Sequence, residues 1–150
     1  MTLALLGIVA AALSSQGPSL PTLHVDGRNL VDPSGKTVLL KGANLGNWLV
    51  VEFWMLALDG KKPKDQYDLE AILTRRFGES EKDRLMEVYH DSWITERDFK
   101  ILPTFGFNCV RLPMNYRLME DDRHPFQLKK DAWRLIDRAV DLGEKNGLYT

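Results

Sequence analysis

The polar residues with the strongest claim to chemistry stand where apolar runs end. Arg111 lies between Val110 and Leu112-Pro113, late in the run from Phe107 to Pro113. An isolated charge buried in such a run costs several kcal/mol or more, so the guanidinium calls for a carboxylate. That carboxylate belongs either to a functional site or to a structural ion pair with a nearby acid such as Glu120. Asn44 and Glu52 occur in the segment Lys41-Gly-Ala-Asn-Leu-Gly-Asn-Trp-Leu-Val-Val-Glu52. Polar groups after an apolar strand face the cleft of a parallel α/β fold, where they hydrogen-bond a polar ligand. Glu52 can equally be a solvated loop acid, and Asn44 can serve only backbone groups. Asn115 and Tyr116 directly follow the Arg111 strand and point toward the same cleft, with ordinary loop bonding as the alternative. The acids Glu120-Asp121-Asp122 lack the regular spacing of a calcium loop, and His24, His90 and His124 lack metal-ligand spacing, so no metal is expected. No phosphate loop or dinucleotide fingerprint is present.

The elements that must position these residues alternate between strand and helix signals. Leu23 to Leu40 reads as short β pieces around two turns, Asp26-Gly27 and Asp32-Pro-Ser-Gly35. A first strand follows at Gly42 to Leu45, then a dense apolar stretch from Trp48 to Leu58 and a turn at Gly60 to Pro63. Two helical segments come next and read as an insertion. One runs from Asp65 to Phe77 and stops at Gly78; the other starts at Ser80, whose side chain can cap the amides around Asp83, and continues toward Tyr89. The helix belonging to strand one starts at Thr95, with Asp98 at the third helical position, and ends at Gly106. Pro103 inside it predicts a kink or an early stop. Strand two is Phe107 to Pro113, where alternation puts Phe107, Cys109 and Arg111 on one face and Asn108, Val110 and Leu112 on the other. Helix two runs from about Lys130 to Asn146, with Ala132, Leu135, Ile136, Ala139 and Leu142 or Gly143 at helical spacing. Leu148-Tyr-Thr150 begins a third strand. This order argues for a parallel sheet, and the expectation is the N-terminal portion of a (β/α)8 barrel preceded by a β-hairpin. Such a barrel takes about 250 residues, so 150 residues hold two units and the start of a third.

Composition narrows the class without identifying it. Hydrophobic residues make up 44% and charged residues 27%, which suits one globular domain. Lys plus Arg number 20 against 21 Asp plus Glu, with neither sign dominating a long stretch, so nucleic acid and anionic membrane are not the expected partners. The single Cys109, in an apolar run, reads as a buried thiol. Residues 1–20 read as a signal peptide or linker. The apolar run Leu3 to Leu13 has the length of a signal-peptide core and is too short to span a bilayer. No Lys or Arg precedes Arg28, and a buried N-terminal helix is the alternative. Gly17, Pro18 and Pro21 suit a processed linker, so secretion or periplasmic export is expected.

Taken together, His24-Val-Asp-Gly27 with Asp32 to Lys36, Gly42-Ala-Asn-Leu-Gly-Asn-Trp48 with Glu52, Trp93-Ile-Thr-Glu96, Gly106-Phe-Asn-Cys-Val-Arg-Leu-Pro113 and Asn146-Gly-Leu-Tyr149 resemble glycoside hydrolase family 5. These are the (β/α)8 cellulases and exo-β-glucanases, and the resemblance covers nearly all of the chain after Thr22. It implies a retaining glycosidase without a cofactor, acting on a β-linked oligo- or polysaccharide. Such enzymes use an acid/base and a nucleophile carboxylate about 5 to 5.5 Å apart. In the family both stand at the ends of the fourth and seventh strands, which would place them beyond Thr150. Arg111 then matches the arginine that holds the nucleophilic glutamate ionised, and Glu52 matches a carboxylate that hydrogen-bonds glucose hydroxyls in exo-glucanases. Trp48 and Trp54 become candidates to stack on sugar rings, although aromatics in such a run more often form core. The rival implication is a non-catalytic carbohydrate-binding or scaffold protein built on the same barrel.

Overall fold

Turn chemistry organises the start of the chain. In the computed structural model, which describes residues 20–58, 60 and 63–150, strands β1 (His24–Asp26) and β2 (Asn29–Val31) form an antiparallel hairpin with Val25 opposite Leu30. Gly27 turns it at φ +59, a conformation that glycine adopts without Cβ strain. The Asp32 carboxylate organises the second turn, accepting hydrogen bonds from the Ser34 amide at 2.9 Å, the Ser34 hydroxyl at 2.6 Å and the Lys36 amide at 3.1 Å. The run Leu3 to Leu13 lies outside the described residues. No helix among the described residues is long and apolar enough to cross a membrane.

The site rests on a parallel pair, β3 (Gly42–Asn44) and β4 (Cys109–Arg111), registered so that Gly42 lies opposite Cys109 and Asn44 opposite Arg111. On the other side of β4, Tyr149 makes a parallel bridge to Cys109, with Val110 N donating to Tyr149 O at 2.7 Å. Helices α1 (Gln66–Phe77), α2 (Glu79–Trp93) and α3 (Glu96–Ile101) fall between β3 and β4, and α4 (Arg134–Lys145) falls between β4 and Tyr149. Local signals explain most of their ends. The Asp65 side chain accepts from Asp68 N at 2.9 Å, and Asp98 accepts from both the amide and the hydroxyl of Thr95 at 2.8 Å each. Pro103 ends α3 early: the chain continues as a 3-10 turn from Leu102 to Phe105 and leaves through Gly106.

Several boundaries depart from the sequence expectation for identifiable reasons. Helix α2 starts at Glu79, not Ser80, because Gly78 at φ +84 ends α1 and begins α2 in one step; among the described residues no side chain caps α2. It then runs on to Trp93, past Tyr89. Helix α4 starts at Arg134, not Lys130. Lys129 is bound to the preceding segment, its amide donating to Met119 O at 2.8 Å and its ammonium to Arg117 O at 2.6 Å, and a turn follows before the helix begins. The acidic stretch Glu120 to Asp122, to which no element is assigned from sequence, contains strand β5 (Glu120–Asp121), paired antiparallel with β6 (His124–Leu128). Strand two is shorter than expected and begins at Cys109. Phe107 is therefore not on the open face with Cys109 and Arg111; it is half-buried against the core, its ring 6.3 Å from that of Phe105.

The core forms on the helix-facing side of the parallel pair. It contains Leu45, Trp48, Leu49, Phe99, Val110, Leu135, Ala139 and Leu148. Trp48 and Phe99 meet edge to face at 6.4 Å, an arrangement worth about 0.5–1.5 kcal/mol beyond the area they bury. Helix α4 comes close to the last strand because residue 143 has no side chain. A Cβ there would lie 2.9 Å from Leu148 O and 2.6 Å from Thr150 Oγ1.

Candidate functional site

Alternation along β3 and β4 sorts their side chains by face. Val110 enters the core, while Asn44 and Arg111, adjacent in register, sit exposed at the C-terminal ends of their strands. Arg111 Nη1 donates to Asn44 Oδ1 at 3.4 Å, a long and weak hydrogen bond. Gly42, Cys109, Tyr149 and Thr150 complete this face, which bounds an open concavity of about 380 Å³. The expectation of a buried guanidinium is corrected here, because Arg111 is solvent-exposed and water screens its charge. The local ion pair with Glu120 does not form either. Glu120 Oε2 accepts from Phe126 N at 3.1 Å, and among the described residues no carboxylate lies within 4 Å of the Arg111 guanidinium.

Glu52 is tied into its own loop. Its Oε2 accepts from Asn47 N at 2.9 Å, and its amide donates to Asn47 Oδ1 at 2.8 Å, so the two residues close a reciprocal ring. Asn47 is fully buried at φ +53, a left-handed conformation that asparagine tolerates better than most residues. Gly46 permits the close approach of the carboxylate, since a Cβ there would stand 2.8 Å from Glu52 Oε2. Helix α2 clamps this loop from outside: the Tyr89 hydroxyl donates to Asn47 O, Trp48 Nε1 to His90 O at 2.7 Å, and Trp93 Nε1 to Gly46 O at 3.2 Å. Burial first, and the charge of Glu52 second, push the Tyr89 hydroxyl up to about 12. Burial also lowers His90, with Arg134 adding to the effect.

The other candidates separate by burial. Trp48 is 0% exposed, so its indole belongs to the core and offers no face for stacking. Trp54, at 62%, is the exposed indole of the pair. Asn115 does local work, its Oδ1 accepting from Arg117 N at 3.0 Å to start a 3-10 turn. Tyr116 is exposed, and its hydroxyl donates to Asp122 Oδ1 at 2.7 Å; that acceptor is the main reason its ionisation is pushed up. Among the described residues no group of three or more His, Cys, Asp or Glu is arranged to hold a metal ion.

Sequence reasoning missed the residues that join the two loops. Gln66 is buried, its Oε1 accepting from Val51 N at 3.0 Å and its Nε2 donating to Glu70 Oε1 at 2.8 Å. Glu70 pairs with Arg117 at 3.0 Å, and Arg117 pairs with Asp122 at 3.0 Å while lying 5.0 Å from the Tyr67 ring centroid. The relay couples the loop after β3 to the loop after β4 through α1. The spacing of Gln66 and Glu70 at i and i+4 is a legible half of that signal; the Arg117 contact is long-range and leaves none.

No protein-family model matches the chain. Among curated proteins, a beta-xylosidase of Phanerodontia chrysosporium is 33% identical over 128 residues, covering 85% of this chain and 26% of that protein. A glucan 1,3-beta-glucosidase of Blumeria graminis is 32% identical over 116 residues, covering 73% of this chain and 26% of the relative. A glucan 1,3-beta-glucosidase of Schwanniomyces occidentalis is 27% identical over 122 residues, again 73% of this chain and 27% of the relative. The chain thus spans about a quarter of the length of these relatives, and their names are those of glycosidases acting on β-linked sugars.

Proposed function

We propose that this chain forms the first wall of the sugar cleft in a retaining β-glycan hydrolase of the family 5 type, a (β/α)8 barrel whose catalytic carboxylates come from other strands. The observation that carries the reading is the juxtaposition of Asn44 and Arg111 at the C-terminal ends of neighbouring parallel strands, in a chain similar to glycosidases over most of its length. That end of a parallel α/β barrel is where catalytic groups assemble. In this role Arg111 holds a nucleophilic carboxylate in its ionised form by two charge-assisted hydrogen bonds. Asn44 and Glu52 bind sugar hydroxyls, and Tyr116 and the exposed Trp54 flank the approach. Protonation of the leaving oxygen and attack on the anomeric carbon fall to the carboxylate pair, about 5 to 5.5 Å apart in a retaining enzyme. The substrate is a β-linked oligo- or polysaccharide, no cofactor takes part, and the apolar run Leu3 to Leu13 supports export.

A non-catalytic sugar-binding protein is the second reading, favoured by the lack of a carboxylate within 4 Å of Arg111 among the described residues. Titrating the 150-residue chain with a β-1,3-linked glucotriose, followed by NMR, together with a reducing-sugar assay, tests the proposal. Amide shifts centred on Asn44, Glu52 and Arg111 without sugar release are expected. Sugar release above that of an Arg111→Ala control would overturn the assignment of the carboxylate pair to other strands. Absence of any shift would overturn the cleft.

A further inference from the structure

We infer that Asn47 is a positioning residue, which fixes the Glu52 side chain so that its second carboxylate oxygen faces the cleft and accepts a sugar hydroxyl. The inference rests on the sugar-binding role proposed for Glu52 and assigns the group that makes that role possible. Three unfavourable features meet at Asn47. Its backbone is left-handed at φ +53, its side chain is 0% exposed, and its Nδ2 is buried with no hydrogen-bond partner among the described residues. Each is destabilising, and an unpaired buried donor is among the features native structures rarely keep. Their common return is the grip on Glu52. The left-handed backbone turns the Asn47 amide onto Glu52 Oε2, while Asn47 Oδ1 takes the amide of Glu52. The orientation of the Asn47 amide follows from this bond, because the Glu52 N–H donates and needs the oxygen rather than the NH2 group.

Two bonds to one residue, one through its side chain and one through its amide, leave the carboxylate little rotational freedom. Asn47 engages only Oε2, no hydrogen bond to Oε1 forms among the described residues, and Glu52 is half-buried rather than enclosed. A flexible acid would lose rotamer freedom on binding, whereas a held one has already lost it; preorganisation of this kind strengthens a hydrogen bond to a ligand without adding a contact. Helix α2 completes the device by holding the Asn47 carbonyl through the Tyr89 hydroxyl.

The test compares Asn47→Gly with Asn47→Ala and Glu52→Gln. Glycine accepts the left-handed backbone but supplies no Oδ1, while alanine lacks the acceptor and also resists that backbone. The Glu52 χ1 angle is read from three-bond couplings in the free chain, affinity for a β-1,3-linked glucotriose from NMR titration, and stability from Tm. Positioning predicts averaged Glu52 rotamers and an affinity loss on the order of tenfold in Asn47→Ala, which loses Oδ1 and draws the amide off Oε2. The loss should be smaller in Asn47→Gly, which keeps that amide donor, and neither loss should exceed that of Glu52→Gln. Tm should fall further in the alanine variant. A single, unchanged Glu52 rotamer in Asn47→Ala overturns the inference. So does wild-type affinity in Asn47→Ala alongside a weakened Glu52→Gln, which would make Asn47 a structural residue only. Unchanged affinity in Glu52→Gln, or no binding by the wild-type chain, fells the reading of Glu52 itself and takes the inference with it.

Discussion

Arg111 is a permanent cation placed at an open strand end without a carboxylate partner among the described residues. Its planar fork suits a carboxylate far better than an ammonium does, so in an enzyme of the proposed kind Arg111→Lys should not be conservative. The expected loss in kcat is roughly two to four powers of ten, about 3 to 5 kcal/mol of transition-state stabilisation. The acid limb of the pH-rate profile should move upward as the nucleophile loses its cation. An unchanged kcat and profile with reduced stability would assign Arg111 to a structural role. Trp48 makes the opposite case, since its fully buried indole bonds His90 O and packs on Phe99. Trp48→Ala should lower the stability of the chain by about 3–5 kcal/mol in urea unfolding, and a smaller loss would mean that the loop collapses onto the cavity. The placing of Arg111 on the face opposite Val110 was legible, because strand alternation needs only sequence, whereas its register beside Asn44 is an inter-strand contact that alternation does not fix. The ring between Asn47 and Glu52 was not legible either. It depends on one residue adopting φ +53, and the only trace of that is an asparagine after a glycine.

Helix ends were legible wherever a side chain caps them. Asp65 and the Thr95 and Asp98 pair act as their types predict, and Gly106 ends the 3-10 turn that follows α3. The failures lie where backbone geometry or distant contacts decide, as with Gly78 at φ +84, or Lys129 bound to the preceding segment. The β5–β6 hairpin was hidden by Pro125, which demotes a strand reading although an edge position tolerates it. At this scale α3 and α4 are joined through Glu96, which accepts from Lys145 at 2.8 Å and pairs with Lys100 at 3.0 Å. Lys145 first, then Lys100, lower the Glu96 carboxyl from 4.5 to about 2. A depressed carboxyl contributes stability that is present above the unfolded value and lost as pH falls through the folded one. Thermal stability should therefore decline between about pH 4.5 and 2, and Glu96→Gln should flatten part of that decline. Because Glu96 is exposed, the effect should also shrink in high salt; a salt-independent slope would point to another group. Gly143 gives a steric test of the α4 contact. Gly143→Ala drives a Cβ against Leu148 O and should destabilise by about 1–3 kcal/mol, despite the better helix propensity of alanine.

Taken whole, the molecule has a parallel sheet with one covered face and one open face. Helices and the Trp48 core cover the side that carries Val110, while Gly42, Asn44, Cys109 and Arg111 line the concavity opposite. Parallel sheets are ordinarily covered on both sides, and unpaired strand edges are templates for association. Large apolar side chains are also left in solvent, among them Leu39 at 69%, Phe105 at 69% and Phe126 at 94%. The formal net charge of −1 offers little long-range repulsion to keep copies apart. Expressed by itself, the 150-residue chain should therefore self-associate, with a sedimentation coefficient that rises with concentration across the micromolar range. A β-1,3-linked glucotriose that occupied the open face should reduce this association if the sheet face mediates it, but not if the hairpin carrying Phe126 does. Phe126→Ser separates the two routes, since it should leave face-mediated association intact. A monomer at all concentrations, with one sharp cooperative melt, would show that the two-stranded parallel core suffices on its own and would favour a free-standing binding domain over a wall of a larger barrel.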